Sequence, residues 1–162
     1  LNDVTNLLEA QSGKQVFSKT HRLIKDRDYL LLSEISTAPS EVNIIISNGN
    51  KEIQTPIGLL LFNEVDTISK VSKNTIYVDA DVLKYPLTLR NWREGDVFYP
   101  IGMQGKKKVS KYFKDEKLSM LDKENVSILC SDDTIIWVIG MRADERFKIT
   151  KQTTQILKIE LK

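Results

Sequence analysis

Apolar residues Leu1, Val4, Leu7 and Leu8 recur at helical spacing, and Gly13, after Gln11 and Ser12, reads as a C-terminal stop. The spacing predicts the end of a helix or a linker over 1–14. A different texture follows. Short apolar or alternating stretches at 23–24, 29–33, 42–47, 57–65 and 75–78 are separated by turn residues, among them Asn48, Gly49 and Asn50. These predict a sheet-rich, antiparallel first half over 15–84. The joins between strands are too direct for the helical crossovers of a doubly wound fold, and no fixed-period repeat is present.

From residue 85 the pattern changes again. Pro86 and Pro100 bracket residues 87–99, Gly102 and Gly105 mark a tight loop, and Lys106, Lys107 and Lys108 lead into a helical pattern. At 100° per residue, Lys107, Lys111 and Lys114 fall within about 60° of one another, while Val109, Tyr112 and Phe113 cluster opposite. The expectation is an amphipathic helix with a lysine ridge, in which Ser110 is either the N-cap or a residue of the first turn. Residues 126–130 and 134–139 flank Ser131, Asp132 and Asp133 as a hairpin, and 154–161 alternates as a closing strand. The fold class is α+β, mainly antiparallel sheet with a few short helices. Residues 85–162 form a second module, and both halves are expected in one compact domain.

Length and composition add bounds. At 162 residues, 41% hydrophobic and 28% charged, the chain is an ordinary globular sequence of about one domain. Its first residue, Leu1, suggests a piece of something longer. One cysteine, Cys130, and one histidine, His21, allow neither an internal disulfide nor a Cys/His zinc cluster. No apolar run approaches the length of a membrane span. A cytoplasmic protein with no membrane partner is the expectation.

The net charge of +2 conceals a segregation. Between Arg90 and Lys117, eight basic residues stand against four acidic ones; between Arg142 and Lys151 it is four against two. Five of the twelve aromatics (Trp92, Phe98, Tyr99, Tyr112 and Phe113) lie in the first window, and interleaving of this kind is common on RNA-binding surfaces. Tyr112 and Phe113 read as core.

Other candidate chemistry is sparse. The Gly102-x-x-Gly105 spacing matches the phosphate-approaching loop of KH domains, yet a KH loop joins two helices and residues 91–100 do not read as one. Asp79 and Asp81 share a face if extended, where carboxylates more often cap a turn than hold a metal. Cys130 sits in an apolar strand, His21 has no evident nucleophile partner, and no phosphate-binding or dinucleotide fingerprint occurs. No catalytic residue and no metal ligand is assigned.

The run from Leu89 through Arg90, Asn91, Trp92, Arg93, Glu94, Gly95 and Asp96 to Pro100, Gly102, Gly105, Lys106–Lys108, Ser110, Lys111 and Phe113 resembles the C-terminal region of bacterial tRNA(Ile)-lysidine synthetases. The stretch Ile136, Trp137, Val138, Ile139, Gly140, Met141, Arg142, Ala143, Asp144, Glu145, Arg146 and Phe147 resembles the same region in the same order. The resemblance implies a parent ligase that uses ATP and Mg2+ to adenylate the wobble cytidine of an isoleucine tRNA with a CAU anticodon, and then lets lysine displace AMP. It places that chemistry in an N-terminal PP-loop domain whose Ser-Gly-Gly-x-Asp-Ser signature is absent here. This region is thereby implied to be non-catalytic and without a cofactor. Its implied role is to hold the tRNA body, above all the acceptor stem, and its implied fold is shared with part of the phenylalanyl-tRNA synthetase β subunit. Arg90, Asn91, Arg93, Lys106, Lys107, Lys108, Ser110, Lys111, Lys114, Arg142 and Arg146 are the candidate RNA contacts, with Trp92, Phe113 and Phe147 supporting them from beneath. Partners implied are the isoleucine tRNA and the PP-loop domain. The rival reading is a protein-interaction or homodimerisation module with an incidental basic face.

Overall fold

The computed structural model describes residues 2–35 and 41–162. They fall into two compact units, Leu1–Ser40 with Ser119–Lys123, and Glu41–Leu118 with Glu124–Lys162. In the first unit, helix α1 (Asn2–Leu8) precedes a three-stranded antiparallel sheet of β1 (Gln15–Phe17), β2 (His21–Asp26) and β3 (Tyr29–Glu34). Leu7 and Ile24 are its buried apolar residues, whereas Phe17, Tyr29 and Leu32 are each more than 60% exposed.

The second unit is larger and layered. Its five-stranded antiparallel sheet runs β13-β12-β11-β8-β4, built from β4 (Asn43–Ile46), β8 (Leu87–Asn91), β11 (Ser127–Ser131), β12 (Thr134–Val138) and β13 (Arg142–Ala143). Its four-stranded sheet runs β5-β6-β14-β7, from β5 (Glu52–Thr55), β6 (Gly58–Val65), β7 (Thr75–Asp79) and β14 (Ile156–Leu161). Leu87, Leu89, Leu129 and Trp137 of the first sheet share one core with Leu60, Phe62, Ile76, Val78, Leu157 and Ile159 of the second. A second core lies on the opposite side of the five-stranded sheet. There Ile128, Cys130, Ile135 and Val138 meet Val109, Tyr112 and Phe113 of helix α2 (Val109–Asp115). β11 is therefore covered on both faces, which explains its unbroken burial and the near-continuous apolar run that encodes it.

Residues 84 and 85, where the sequence texture changes, lie between β7 and β8. β4 pairs with β8, and both β6 and β7 pair with β14, so strands on the two sides of that boundary complete the same sheets. The change in texture at 85 marks a change of layer. β1, β5 and β8 are strands beyond those the sequence pattern predicts; β8 carries only five residues behind Pro86, and its apolar positions Leu87 and Leu89 alternate with Thr88 and Arg90.

Candidate nucleic-acid interface

The basic segment is built around α2. Its apolar stripe Val109, Tyr112 and Phe113 is buried, Trp92 meets Phe113 edge-on at 5.1 Å and Phe98 meets Tyr112 at 5.2 Å, so the helix is fixed on the sheet by aromatic contacts. The opposite stripe consequently faces solvent. Lys111 and Lys114 are exposed on it, as are Lys106 and Lys108 in the approach, and none of the four has a carboxylate within ion-pair distance among the described residues. The N-cap position is Lys108, which makes no side-chain cap bond, and Ser110 lies partly buried in the first turn.

Lys107 departs from the expected ridge. It lies in the two-residue strand β10 (Lys107–Lys108), which pairs with β9 (Val97–Phe98), and not in the helix. Its ammonium reaches Asp115 at 2.6 Å and stands 5.9 Å from the Tyr112 ring centre. The hydrogen bond from Lys107 holds the exposed Asp115 carboxyl below its ordinary range. Lys107 is still in extended backbone, so the helical angle that groups it with Lys111 and Lys114 does not apply to it.

Arg90 and Asn91 also face inward. Alternation along β8 sends Leu87 and Leu89 to one core and Arg90 to the face beneath α2, opposite Ile128. There the two terminal nitrogens of Arg90 donate to the two oxygens of Asp96, each at 2.9 Å, with side chains only 16% and 13% exposed. Burial alone would raise the Asp96 carboxyl, but bonds from Arg90 and from the Arg93 backbone N–H at 2.6 Å more than offset it and hold it low. Asn91 Oδ1 accepts the Val42 N–H at 2.7 Å, so this amide anchors the segment entering β4. Arg93 is exposed, with one nitrogen 3.5 Å from Glu41.

The glycine loop joins strands, not helices: it runs from β9 to β10, with Gly102 and Gly105 at φ of +76° and +73°. Residues of the second basic window hold it. Ile101 N–H donates to the Ala143 carbonyl, Arg142 Nη1 donates to the Ile101 carbonyl at 3.0 Å, and Gly102 N–H donates to Glu145, which also binds Lys148. Asp144, whose side chain is fully buried, accepts from the Tyr99 N–H and from the backbone, Nε and Nη2 of Arg146. Arg146 lies 4.6 Å over the Tyr99 ring and keeps 42% of its side chain exposed. The two basic windows, remote in sequence, thus meet at one loop. Proximity of Arg142 and Arg146 to residues 99–102 had no signal in spacing or periodicity.

The remaining candidates resolve into structure. Asp79 caps the 3-10 turn Ala80–Val82 and accepts from Thr153, while Asp81 accepts from the backbone and hydroxyl of Thr154. These carboxylates strap the start of β14 to the end of β7. Cys130 is buried, and burial raises its thiol to about 11. Among the described residues no cluster of three His, Cys, Asp or Glu side chains is placed to hold a metal ion.

Residues 1–35 match the family model described as TilS substrate binding domain, and residues 87–161 match TilS substrate C-terminal domain. The chain is 42% identical over 160 residues to a tRNA(Ile)-lysidine synthase of Parabacteroides distasonis and 38% identical over 159 residues to that of Bacteroides thetaiotaomicron. The chain belongs to the tRNA(Ile)-lysidine synthase family. These alignments take in 96% and 97% of the chain but only 36% and 35% of the relatives' lengths. A solved structure, the crystal structure of a TILS C-terminal domain, shares the fold with a TM-score of 0.62 at 18% identity, over 73% of this chain and 95% of that one. The mainly antiparallel α+β architecture is thus the one seen in that domain. The second matched segment holds both basic windows and α2, which positions the exposed lysines within the family's C-terminal domain.

Proposed function

We propose that this chain is the tRNA-gripping part of a lysidine-forming ligase, and that it holds the body of an isoleucine tRNA with a CAU anticodon while a PP-loop domain performs the chemistry elsewhere. The observation that carries this reading is the contrast among the basic side chains: Lys106, Lys108, Lys111 and Lys114 are exposed without ion-pair partners, whereas Arg90 and Lys107 are bound by carboxylates. A cation already neutralised inside the fold releases few counterions from a nucleic acid; a free one on a rigid support releases about one per phosphate. A duplex stem is recognised chiefly by shape, phosphates and 2′-hydroxyls, and a lysine face on a helix pinned by aromatics suits that demand without base-reading pockets. Arg93, Ser110, Arg142 and Arg146 are further candidate contacts, and Asn91 contributes only by anchoring the segment entering β4. The family resemblance implies that ATP and Mg2+ belong to the PP-loop domain; Asp79 and Asp81 here are engaged by Thr153, Thr154 and the backbone.

The test is tRNA affinity across a salt series. Lys111→Ala with Lys114→Ala should weaken binding and lower the slope of log affinity against log salt by roughly one to two. An unchanged slope in a folded double variant would remove the lysine face from the site. A dimer by mass that ignores tRNA at low salt would support the interaction-module reading instead.

A further inference from the structure

Two arginines of the basic windows sit in forked bonds to aspartates, and the two forks differ in what they leave over. Arg90 and Asp96 are both largely buried, and Arg90 Nη1 donates additionally to the Asn91 carbonyl. That guanidinium has nothing to offer a ligand. In the other fork the aspartate is buried completely and the arginine is not: Asp144 takes Nε and Nη2 of Arg146 at 2.9 and 2.8 Å, while Nη1 makes no bond among the described residues. Tyr99 supports one face of the guanidinium at 4.6 Å, and the same Asp144 accepts the Tyr99 N–H. The plane, the direction and the height of Arg146 are therefore set by two fixed neighbours before any ligand arrives. Such a group loses little conformational entropy on binding an anion.

We infer that Arg146 is a pre-oriented phosphate contact of this chain and that Asp144 is its positioning residue. The inference rests on the RNA-gripping reading above and adds to it a second anchor, separate in sequence from α2 and different in kind. The lysines supply mobile charge; Arg146, held by Asp144 and stacked on Tyr99, supplies a charge of fixed direction. Asp144 lowers the cost of ordering Arg146 without touching the RNA. Two of its four hydrogen bonds serve backbone N–H groups, capping the 3-10 turn Glu145–Phe147 and satisfying Tyr99, and the other two hold Arg146, so one buried carboxylate fixes the turn, the Tyr99 backbone and the guanidinium together.

The experiment is a double-mutant cycle on the full chain, read as affinity for an unmodified isoleucine tRNA transcript at several salt concentrations, with a melting temperature for every variant. Arg146→Ala should weaken binding about three- to tenfold and reduce the salt slope by roughly one. Arg146→Lys should keep the slope but recover only part of the affinity, because a lysine cannot hold the fork and face outward together. Asp144→Asn keeps one of the two acceptor oxygens, and with it one of the two backbone N–H bonds; it should weaken binding when Arg146 is present and have no further effect when Arg146 is alanine. A purely structural Asp144 would weaken both backgrounds equally, and that result overturns its positioning role. Wild-type affinity and slope in Arg146→Ala, alongside a loss in the Lys111/Lys114 variant, overturns the Arg146 contact and leaves the gripping reading standing. Unchanged binding in both overturns both. If Asp144→Asn does not fold, the Arg146 substitutions still decide whether the contact exists.

Discussion

Arg90 and Asp96 carry opposite charges into the same small space under α2, and the always-charged guanidinium helps hold the buried carboxyl in its ionised form. Because the folded Asp96 carboxyl lies below its unfolded value, its contribution to stability is present above about pH 4 and is lost as pH falls through the folded value. Replacing Arg90 by methionine reverses the sign. Burial is then the leading influence on Asp96, its carboxyl rises, and the variant should be least stable relative to wild type at neutral pH, by about 2–3 kcal/mol. The deficit should shrink as the pH approaches 4. Melting temperatures of both proteins at pH 7 and pH 4.5 check this; an equal deficit at the two pH values would mean that Asp96 is not left charged and unpaired. Lys107 behaves as another internally matched charge. Removing it together with Asp115, both to alanine, should leave the tRNA salt slope where it was, in contrast to Lys111 and Lys114.

Elements were legible where one face is wet and the other dry, as in the α2 stripe and the alternating β14, and where an unbroken apolar run is interrupted by turn residues, as in the hairpin of β11 and β12 around Asp132. Short strands such as β1 and β5 carry too few residues for a period to register, and β9 and β10 are two residues each. The candidate site was legible as a composition and not as a list. Sequence identified the basic aromatic segment, but it could not separate Arg90 from Arg93, since that separation depends on which side of β8 each falls and on a carboxylate folding back to meet it. Tight turns make equally local demands. At Gly58, which opens β6 with φ +134°, an added Cβ would stand 2.5 Å from the Lys162 carbonyl oxygen. Gly58→Ala should destabilise the chain by about 2 kcal/mol or more, read by denaturant unfolding, because both the backbone conformation and the neighbouring carbonyl must yield.

At the scale of the molecule, the two units differ in how much they bury. Within Glu41–Leu118 and Glu124–Lys162, two cores share one central sheet, whereas the first unit fully encloses little beyond Leu7 and Ile24 among its described apolar residues. Amide hydrogen exchange should therefore be slowest in β11, β12 and β14 and faster throughout β1–β3. Equal protection in β1–β3 would show that the first unit draws stability from more than its own packing. The larger unit also has an unusual dependence on order in time. β7 is buried along its whole length, yet its only strand neighbour among the described residues is β14, which also completes β6. Those pairings span more than half of the chain in the case of β6. A ribosome releases β6 and β7 long before it makes the strand that joins them, so two apolar edges wait open during synthesis. The period of greatest risk for this protein falls before it is finished, when its open edges most need a chaperone's cover.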